Sequence, residues 1–122
     1  MPHPKILLIE DEATSRAILE TTLTGAGYLV DIAESASVAH TRLQVTRYAL
    51  VIADWILPDG DGIYLADRAA ALGSRTLVVT GHLSDLPPGT ASRHHILMKP
   101  TKPESLLALV CALIGNPTDE SC

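Results

Sequence analysis

Polar and charged side chains follow directly after the apolar runs of this sequence, and they are the residues that could do chemistry. The run KILLI is followed by Glu10 and Asp11, and the run ALVIA by Asp54. Further along, TLVVT ends in Thr80, and HILM is followed by Lys99. A carboxylate at the edge of an apolar core is costly unless its charge is compensated. The position of Asp54 therefore raises the question of what compensates it.

A divalent cation would answer that question. Parallel strands bring their carboxyl ends to one edge of a sheet, where carboxylates, a hydroxyl and an ammonium group would share a shallow pocket. Lys99 alone cannot balance two or three carboxylates, whereas Mg²⁺ suits a site with few carboxylates, a backbone carbonyl and open water positions. The pattern predicts a magnesium site in which one oxygen of Asp54 stays free to react.

The elements that must position these residues alternate along the chain. Strands are predicted over residues 5–9, 28–33, 49–53, 76–80 and 95–98. Helices are predicted over residues 14–25, from Ser35 or Ser37 to about Val45, over 63–72 and from Pro103 to about 114. Such alternation indicates right-handed crossovers and a parallel sheet covered on both faces. The predicted fold class is a doubly wound, flavodoxin-like α/β domain with five parallel strands in the order 2-1-3-4-5.

The segment GHLSDLPPGTASRHH, residues 81–95, departs from this scheme. It holds Pro-Pro-Gly where a crossover helix belongs, and these residues are poor helix formers. The fourth helix is therefore expected to be short, displaced or absent. We expect one domain over residues 1–115 and a polar tail over residues 116–122, because no second domain or repeat is evident.

Composition excludes several classes of function. The chain has 122 residues, a net charge of −5 and no cluster of Lys or Arg, which disfavours direct binding to nucleic acid. No apolar run approaches the roughly 20 residues of a membrane span, and no signal peptide is recognisable, so we expect a cytoplasmic protein. Cys111 and Cys122 are expected to remain separate thiols.

Four sequence pieces, ILLIEDE, DWILPDGDG, VVTG and MKP, lie in this order at the ends of the predicted strands. Together they resemble the receiver domain of two-component response regulators, over nearly the whole chain. The resemblance implies a phosphoacceptor signalling domain in a phosphorelay rather than an enzyme, with only self-phosphorylation and slow autodephosphorylation. Its implied partners are a histidine kinase or a histidine phosphotransfer protein, and a downstream protein that the sequence does not identify.

The resemblance also implies a role for each acidic residue. Asp54 matches the aspartate that accepts the phosphoryl group and that also binds Mg²⁺. Asp11 matches a direct metal ligand, and Glu10 matches an acid that acts through metal-bound water. The backbone carbonyl of Ile56 matches a further ligand.

The remaining matched residues would contact the phosphoryl group. Thr80 matches a hydroxyl that moves toward it on activation, and Lys99 matches a lysine that pairs with its oxygens. The backbone amides of Ile56 and Gly81 would contact the same oxygens. The Lys99–Pro100 peptide bond is expected to be cis.

Two features depart from the family pattern. Ile96 stands where receivers usually carry Tyr or Phe, so no ring can rotate there to report the movement of Thr80. The span from Thr80 to Lys99 is also short, at 19 positions (99 − 80). We therefore expect a switch to reorder the segment 81–95 and to change an interaction surface near residues 81–100. The apolar Ile56 predicts slow autodephosphorylation, although the nearby His82 is a candidate to contact the phosphoryl group or its attacking water.

Other interpretations remain open for the same residues. Asp11 and Glu12 could cap the first helix, and the aspartates and glycines of DGDG, residues 59–62, are expected to form a turn in which glycine supplies positive φ. A degenerate receiver that binds partners without phosphorylation is the alternative function. A phosphohydrolase of the haloacid dehalogenase type is disfavoured, because that family has a second acid where this chain has Ile56.

Overall fold

The computed structural model describes residues 4–117, which form strands and helices in alternation. The strands are β1 (Lys5–Ile9), β2 (Leu29–Ala33), β3 (Leu50–Asp54), β4 (Ile56–Leu57), β5 (Gly60–Asp61), β6 (Arg75–Thr80) and β7 (His95–Met98). The helices are α1 (Ala13–Gly25), α2 (Ala36–Val45), α3 (Gly62–Ala71), α4 (Thr90–Arg93) and α5 (Pro103–Ile114).

The five long strands form one parallel sheet in the order β2-β1-β3-β6-β7. This confirms the predicted order 2-1-3-4-5, because β4 and β5 form only a small separate ribbon. Alternate residues of a strand face opposite sides of the sheet. Ile6 and Leu8 accordingly pack with α1 and α5, whereas Leu7 and Ile9 pack with α2 and α3. Both faces of the central strands are covered, which explains their continuous apolar sequences.

The crossover between β6 and β7 contains very little helix. A 3-10 turn spans Leu83–Asp85, and α4 has only four residues after Gly89, whose φ is 86°. The prediction of a short fourth helix is confirmed. Among residues 81–89 only Leu86 is partly buried, and the others are exposed.

The turn before α3 differs from the prediction. Positive φ angles occur at Gly27, Gly73, Gly89 and Gly115, so the expectation of positive φ within residues 59–62 is wrong. Gly62 is required for a different reason: a Cβ atom there would lie 1.8 Å from the carbonyl oxygen of Asp54. The turn aspartates are structural, as expected, since Asp59 accepts hydrogen bonds from the first amides of α2 and Asp61 caps α3.

Two expectations concern the end of the chain. Cys111 is disulfide-bonded, so the expectation of a separate thiol there is wrong; Cys122 lies outside the described residues. Most of the expected tail, residues 118–122, also lies outside them. Within residues 4–117, no helix is long and apolar enough to cross a membrane.

Candidate functional site

The carboxyl edge of the sheet brings together the residues that sequence patterns singled out. Glu10 follows β1, Asp54 ends β3, Thr80 ends β6 and Lys99 follows β7. Backbone hydrogen bonds continue the strand pairing at two of these positions. The Glu10 amide donates to the carbonyl oxygen of Ala33 over 3.0 Å, and the Lys99 amide donates to that of Thr80 over 2.9 Å. The site is therefore held by the main chain of the sheet.

Lys99 bridges two carboxylates at this edge. Its Nζ lies 2.7 Å from Oε1 of Glu10 and 3.3 Å from Oδ2 of Asp54. The Glu10 side chain is only 1% exposed, and that of Asp54 is 14% exposed. Lys99 thus supplies part of the compensation that Asp54 requires, and it binds the more deeply buried Glu10 more closely.

The pKa values at the site reflect an excess of negative charge. Burial and the neighbouring charge of Glu10 raise the pKa of Asp54 to about 6, against the opposing effect of Lys99. Burial alone would lower the pKa of Lys99, but its hydrogen bond to Glu10 and the charge of Asp54 outweigh burial and raise it. One ammonium group therefore only partly neutralises the carboxylates.

The carboxylates are placed to share a cation. Ligand oxygens of Glu10, Asp11 and Asp54 all lie within 4.8 Å of one another, and no other group of this kind occurs among residues 4–117. Three carboxylates without a histidine or cysteine form a donor set that suits a hard cation such as Mg²⁺. The residues present therefore fit the predicted metal. Ile56, the predicted backbone ligand, lies in β4 with its side chain exposed.

Neighbouring groups leave Asp11 available for this cluster. Glu12, not Asp11, caps α1, since its carboxylate accepts hydrogen bonds from two amides of the first turn at 2.9 Å each. The Arg16 guanidinium donates to the backbone carbonyls of Glu10 and Asp11, at 3.1 Å in both cases. The same guanidinium also lies 3.8 Å from a carboxylate oxygen of Glu34. Sequence reasoning missed Arg16, because no motif marks an arginine that binds the backbone beside the site.

Thr80 is buried beside the site, and its hydroxyl oxygen accepts a hydrogen bond from the His82 amide over 2.9 Å. Gly81 lies between them and is exposed. The His82 ring is also exposed, and its Nδ1 lies 3.9 Å from Oδ2 of Asp85. The Lys99–Pro100 bond is cis, as predicted.

Ile96 packs on the side of the sheet next to the site. Ile63, Ala66 and Val78 form a small buried group, here called the α3–β6 cluster. Three partly buried side chains pack against this cluster: Trp55, Leu86 and Ile96. Ile96, which stands where receivers usually carry an aromatic residue, thus packs against the same cluster as Trp55, the residue after Asp54.

The adjacent residues His94 and His95 differ in burial. His94 is buried, with Nδ1 2.6 Å from the Thr76 hydroxyl oxygen and Nε2 2.6 Å from Oδ1 of Asp67. Burial alone would raise the pKa of Asp67, but hydrogen bonds from His94 and Arg93 outweigh burial and lower it. His95 is exposed.

Comparisons with known proteins agree with this geometry. The family of the response regulator receiver domain matches residues 6–111. The chain is 35% identical over 79 residues to the response regulator receiver protein CpdR of Brucella abortus, covering 63% of this chain and 66% of that protein. It is 31% identical over 124 residues to the phosphate regulon transcriptional regulatory protein PhoB of Rhizobium meliloti, covering 96% of this chain and 55% of that protein.

Solved structures share the fold. A CheY-like receiver domain protein from Methanospirillum hungatei superposes with a TM-score of 0.82 at 23% identity, covering 98% of this chain and 100% of that chain. A CheY-like receiver domain from Methylobacillus flagellatus gives 0.82 at 24% identity, covering 92% of this chain and 99% of that one. The chain spans less than two thirds of the length of either curated relative. The family match, the sheet order and the acidic edge place this chain in the receiver domain family of two-component response regulators.

Proposed function

We propose that this receiver domain, residues 1–115, accepts a phosphoryl group on Asp54 from a phosphohistidine donor. The observation that carries the proposal is the position of Asp54 at the end of the central strand, with Lys99 at 3.3 Å and two further carboxylates within reach of one cation. A histidine kinase or a histidine phosphotransfer protein in the cytoplasm would supply the group. Only self-phosphorylation and slow loss of the phosphoryl group are expected, so the domain acts as a signalling element.

The chemistry requires an ionised carboxylate. An oxygen of Asp54 attacks phosphorus as the bond from phosphorus to the histidine nitrogen breaks, which leaves an acyl phosphate on Asp54 and a free imidazole on the donor. A pKa of about 6 leaves Asp54 mostly ionised at neutral pH. Mg²⁺ held by Asp11 and Asp54, by Glu10 through water and by the Ile56 carbonyl would neutralise charge on the phosphoryl oxygens.

The other residues orient the phosphoryl group and respond to it. Lys99 would pair with its oxygens, and the amides of Ile56 and Gly81 would donate hydrogen bonds to them. Thr80 would turn its hydroxyl toward the new charge. This movement would break the hydrogen bond that the hydroxyl oxygen now accepts from the His82 amide. The added charge would thereby change the surface near residues 81–100, through which a downstream protein is recognised.

The experiment is intact mass spectrometry after incubation with acetyl phosphate and Mg²⁺. One added phosphoryl group is expected on the wild type, and none on Asp54→Asn or in the presence of a chelator. Asp85→Asn is the matched control, because Asp85 is exposed and outside the carboxylate cluster. An adduct that survives Asp54→Asn would refute the assignment.

A phosphorylation-independent binding module is the second candidate. The isoleucine at position 96 and the four-residue α4 favour it, since both alter the surface that a receiver switch would use. No adduct on the folded wild type, with either acetyl phosphate or a histidine-phosphorylated donor protein, would favour this candidate.

A further inference from the structure

Arg16 of α1 holds the backbone of two acidic residues at the carboxyl edge of the sheet. Its Nη1 donates hydrogen bonds to the carbonyl oxygens of Glu10 and Asp11, at 3.1 Å in both cases. Its Nη2 lies 3.8 Å from Oε2 of Glu34. Because the Glu34 side chain is 68% exposed, this ion pair is weak. The two carbonyl oxygens are therefore the main partners of Arg16.

The two carbonyl groups lie on either side of the Asp11 Cα atom. The Glu10 carbonyl belongs to the peptide plane before that atom, and the Asp11 carbonyl belongs to the plane after it. Since each peptide unit is planar, the relative orientation of these planes is set by the φ and ψ angles of Asp11. One nitrogen that binds both carbonyl oxygens therefore restrains both angles. It thereby also restrains the direction in which the Asp11 side chain leaves the backbone.

The residues on both sides of Asp11 have anchors of their own. The Glu10 amide donates to the carbonyl oxygen of Ala33, and Oε2 of Glu10 accepts from the Glu12 amide over 3.2 Å. Glu12 caps α1, and its carbonyl oxygen accepts from the Arg16 amide over 2.9 Å. With both neighbours fixed, the guanidinium of Arg16 restrains the stretch of backbone that carries Asp11.

We propose that Arg16 is a positioning residue for the metal site, and that it acts by aiming the Asp11 carboxylate into the carboxylate cluster. The inference rests on the proposed function and adds a residue that the cation would require without touching it. Ligand oxygens of the three carboxylates lie within 4.8 Å of one another. Restraining Asp11 before the cation binds lowers the entropic cost of ordering this ligand.

The charge of Arg16 and its carbonyl contacts predict opposite effects on cation binding. A guanidinium beside a cation site repels the cation, so charge alone predicts that loss of Arg16 strengthens binding. Loss of the carbonyl contacts instead leaves Asp11 free to turn away, which weakens binding. Residues that hold metal ligands in place typically contribute a factor of about 10 to 100 in metal affinity. We expect the low end of this range, about tenfold, because Arg16 acts through the backbone.

Binding of Mn²⁺ in the absence of any phosphodonor tests this role. Mn²⁺ takes the same oxygen ligands as Mg²⁺, and its free ion is counted by electron paramagnetic resonance. Displacement by Mg²⁺ then gives the Mg²⁺ affinity. Arg16→Gln should bind both ions about tenfold more weakly than the wild type. With acetyl phosphate, it should need about ten times more Mg²⁺ for half-maximal phosphorylation, yet reach the wild-type rate at saturating Mg²⁺.

Two control variants should keep the wild-type affinity. Arg42→Gln is the matched control, because Arg42 also donates to a backbone carbonyl, that of Ile32, over 2.8 Å. Arg42 also lies 4.0 Å from a carboxylate oxygen of Asp31, which is outside the cluster. Glu34→Gln removes the exposed ion pair of Arg16 and leaves its two carbonyl contacts in place.

A further variant keeps the test decisive if circular dichroism shows that Arg16→Gln does not fold. Arg16→Lys keeps the positive charge on a stem that is one bond shorter, so its binding should still be weaker than that of the wild type. Unchanged or tighter binding in the Arg16 variant, or an equal loss in either control, would overturn the role of Arg16 alone. A wild type whose cation binding is insensitive to Asp11→Asn, or that gains no phosphoryl group, would overturn the proposed function as well.

Discussion

Replacing Asp54 with asparagine is expected to stabilise the folded protein at pH 8. Burial and the charge of Glu10 raise the pKa of Asp54 from an ordinary value of 3.8 to about 6. Between these two values the folded state binds more protons at Asp54 than the unfolded state, so stability falls as pH rises through this range. Above pH 6 the folded protein carries the full cost of an ionised Asp54. Asparagine has a similar shape and no charge, so the variant avoids that cost.

The size of the effect follows from the pKa difference. Each unit of difference between the pKa of the folded and the unfolded state corresponds to about 1.4 kcal/mol of stability. A rise from 3.8 to about 6 therefore corresponds to about 3 kcal/mol. Water screens part of this energy, because 14% of the Asp54 side-chain surface remains exposed to solvent. We therefore expect the free energy of unfolding to rise by about 1 to 2 kcal/mol in the variant.

Urea unfolding in chelator-treated buffer at pH 8 and pH 4 measures this effect. The stabilisation of Asp54→Asn should be present at pH 8 and largely lost at pH 4, where much of the wild-type Asp54 is already protonated when folded. Asp85→Asn, at an exposed acid, should show no comparable gain. A variant that is equally or less stable at pH 8, or equally stabilised at both pH values, would refute the charge argument.

Three further substitutions test other parts of the structure. Gly62→Ala should destabilise the domain by about 3 kcal/mol in urea unfolding, the upper end of the usual cost of overpacking, because the new Cβ would collide with the Asp54 carbonyl; an effect below about 1 kcal/mol contradicts this. Thr76→Val should cost about 1 to 3 kcal/mol in the same assay, since it leaves buried Nδ1 of His94 without its partner; a neutral effect would show that water replaces the hydroxyl. Ile56→Asn should shorten the lifetime of the phosphorylated protein, timed by mass, because an amide can hold an attacking water; an unchanged lifetime argues against a role for position 56.

The sheet could be predicted from sequence because each strand is an apolar run followed by a distinct polar residue. In a parallel sheet covered on both faces, such runs have few competing interpretations. The irregular fourth crossover was equally evident, since Pro87, Pro88 and Gly89 cannot continue a helix. The turn glycines were predicted wrongly, because the need for Gly62 arises from close approach to the main chain of Asp54. That constraint depends on tertiary packing, which leaves no local signal.

The sequence predicted which residues form the site, but not which carboxylate Lys99 binds more closely. The positions of Glu10, Asp54 and Lys99 follow from strand ends that meet at one edge. The preference of Lys99 for Glu10 over Asp54 does not, because it depends on which carboxylate is more deeply buried. The disulfide at Cys111 was missed for a similar reason, since cysteine spacing alone says little about geometry.

Because Lys99 is paired with Glu10, a substitution of Lys99 affects the stability of the fold as well as the chemistry of the site. Glu10 is almost completely buried, and its Oε1 lies 2.7 Å from the ammonium group. Removing one partner of a buried ion pair leaves an uncompensated charge and is strongly destabilising. An apolar residue at position 99 would therefore weaken the fold and would also remove the phosphoryl contact proposed for Lys99. Loss of phosphorylation in such a variant reports on the lysine contact only if the buried charge of Glu10 is also neutralised. Because Glu10 is also a proposed metal ligand, Lys99→Met combined with Glu10→Gln must be compared with Glu10→Gln alone.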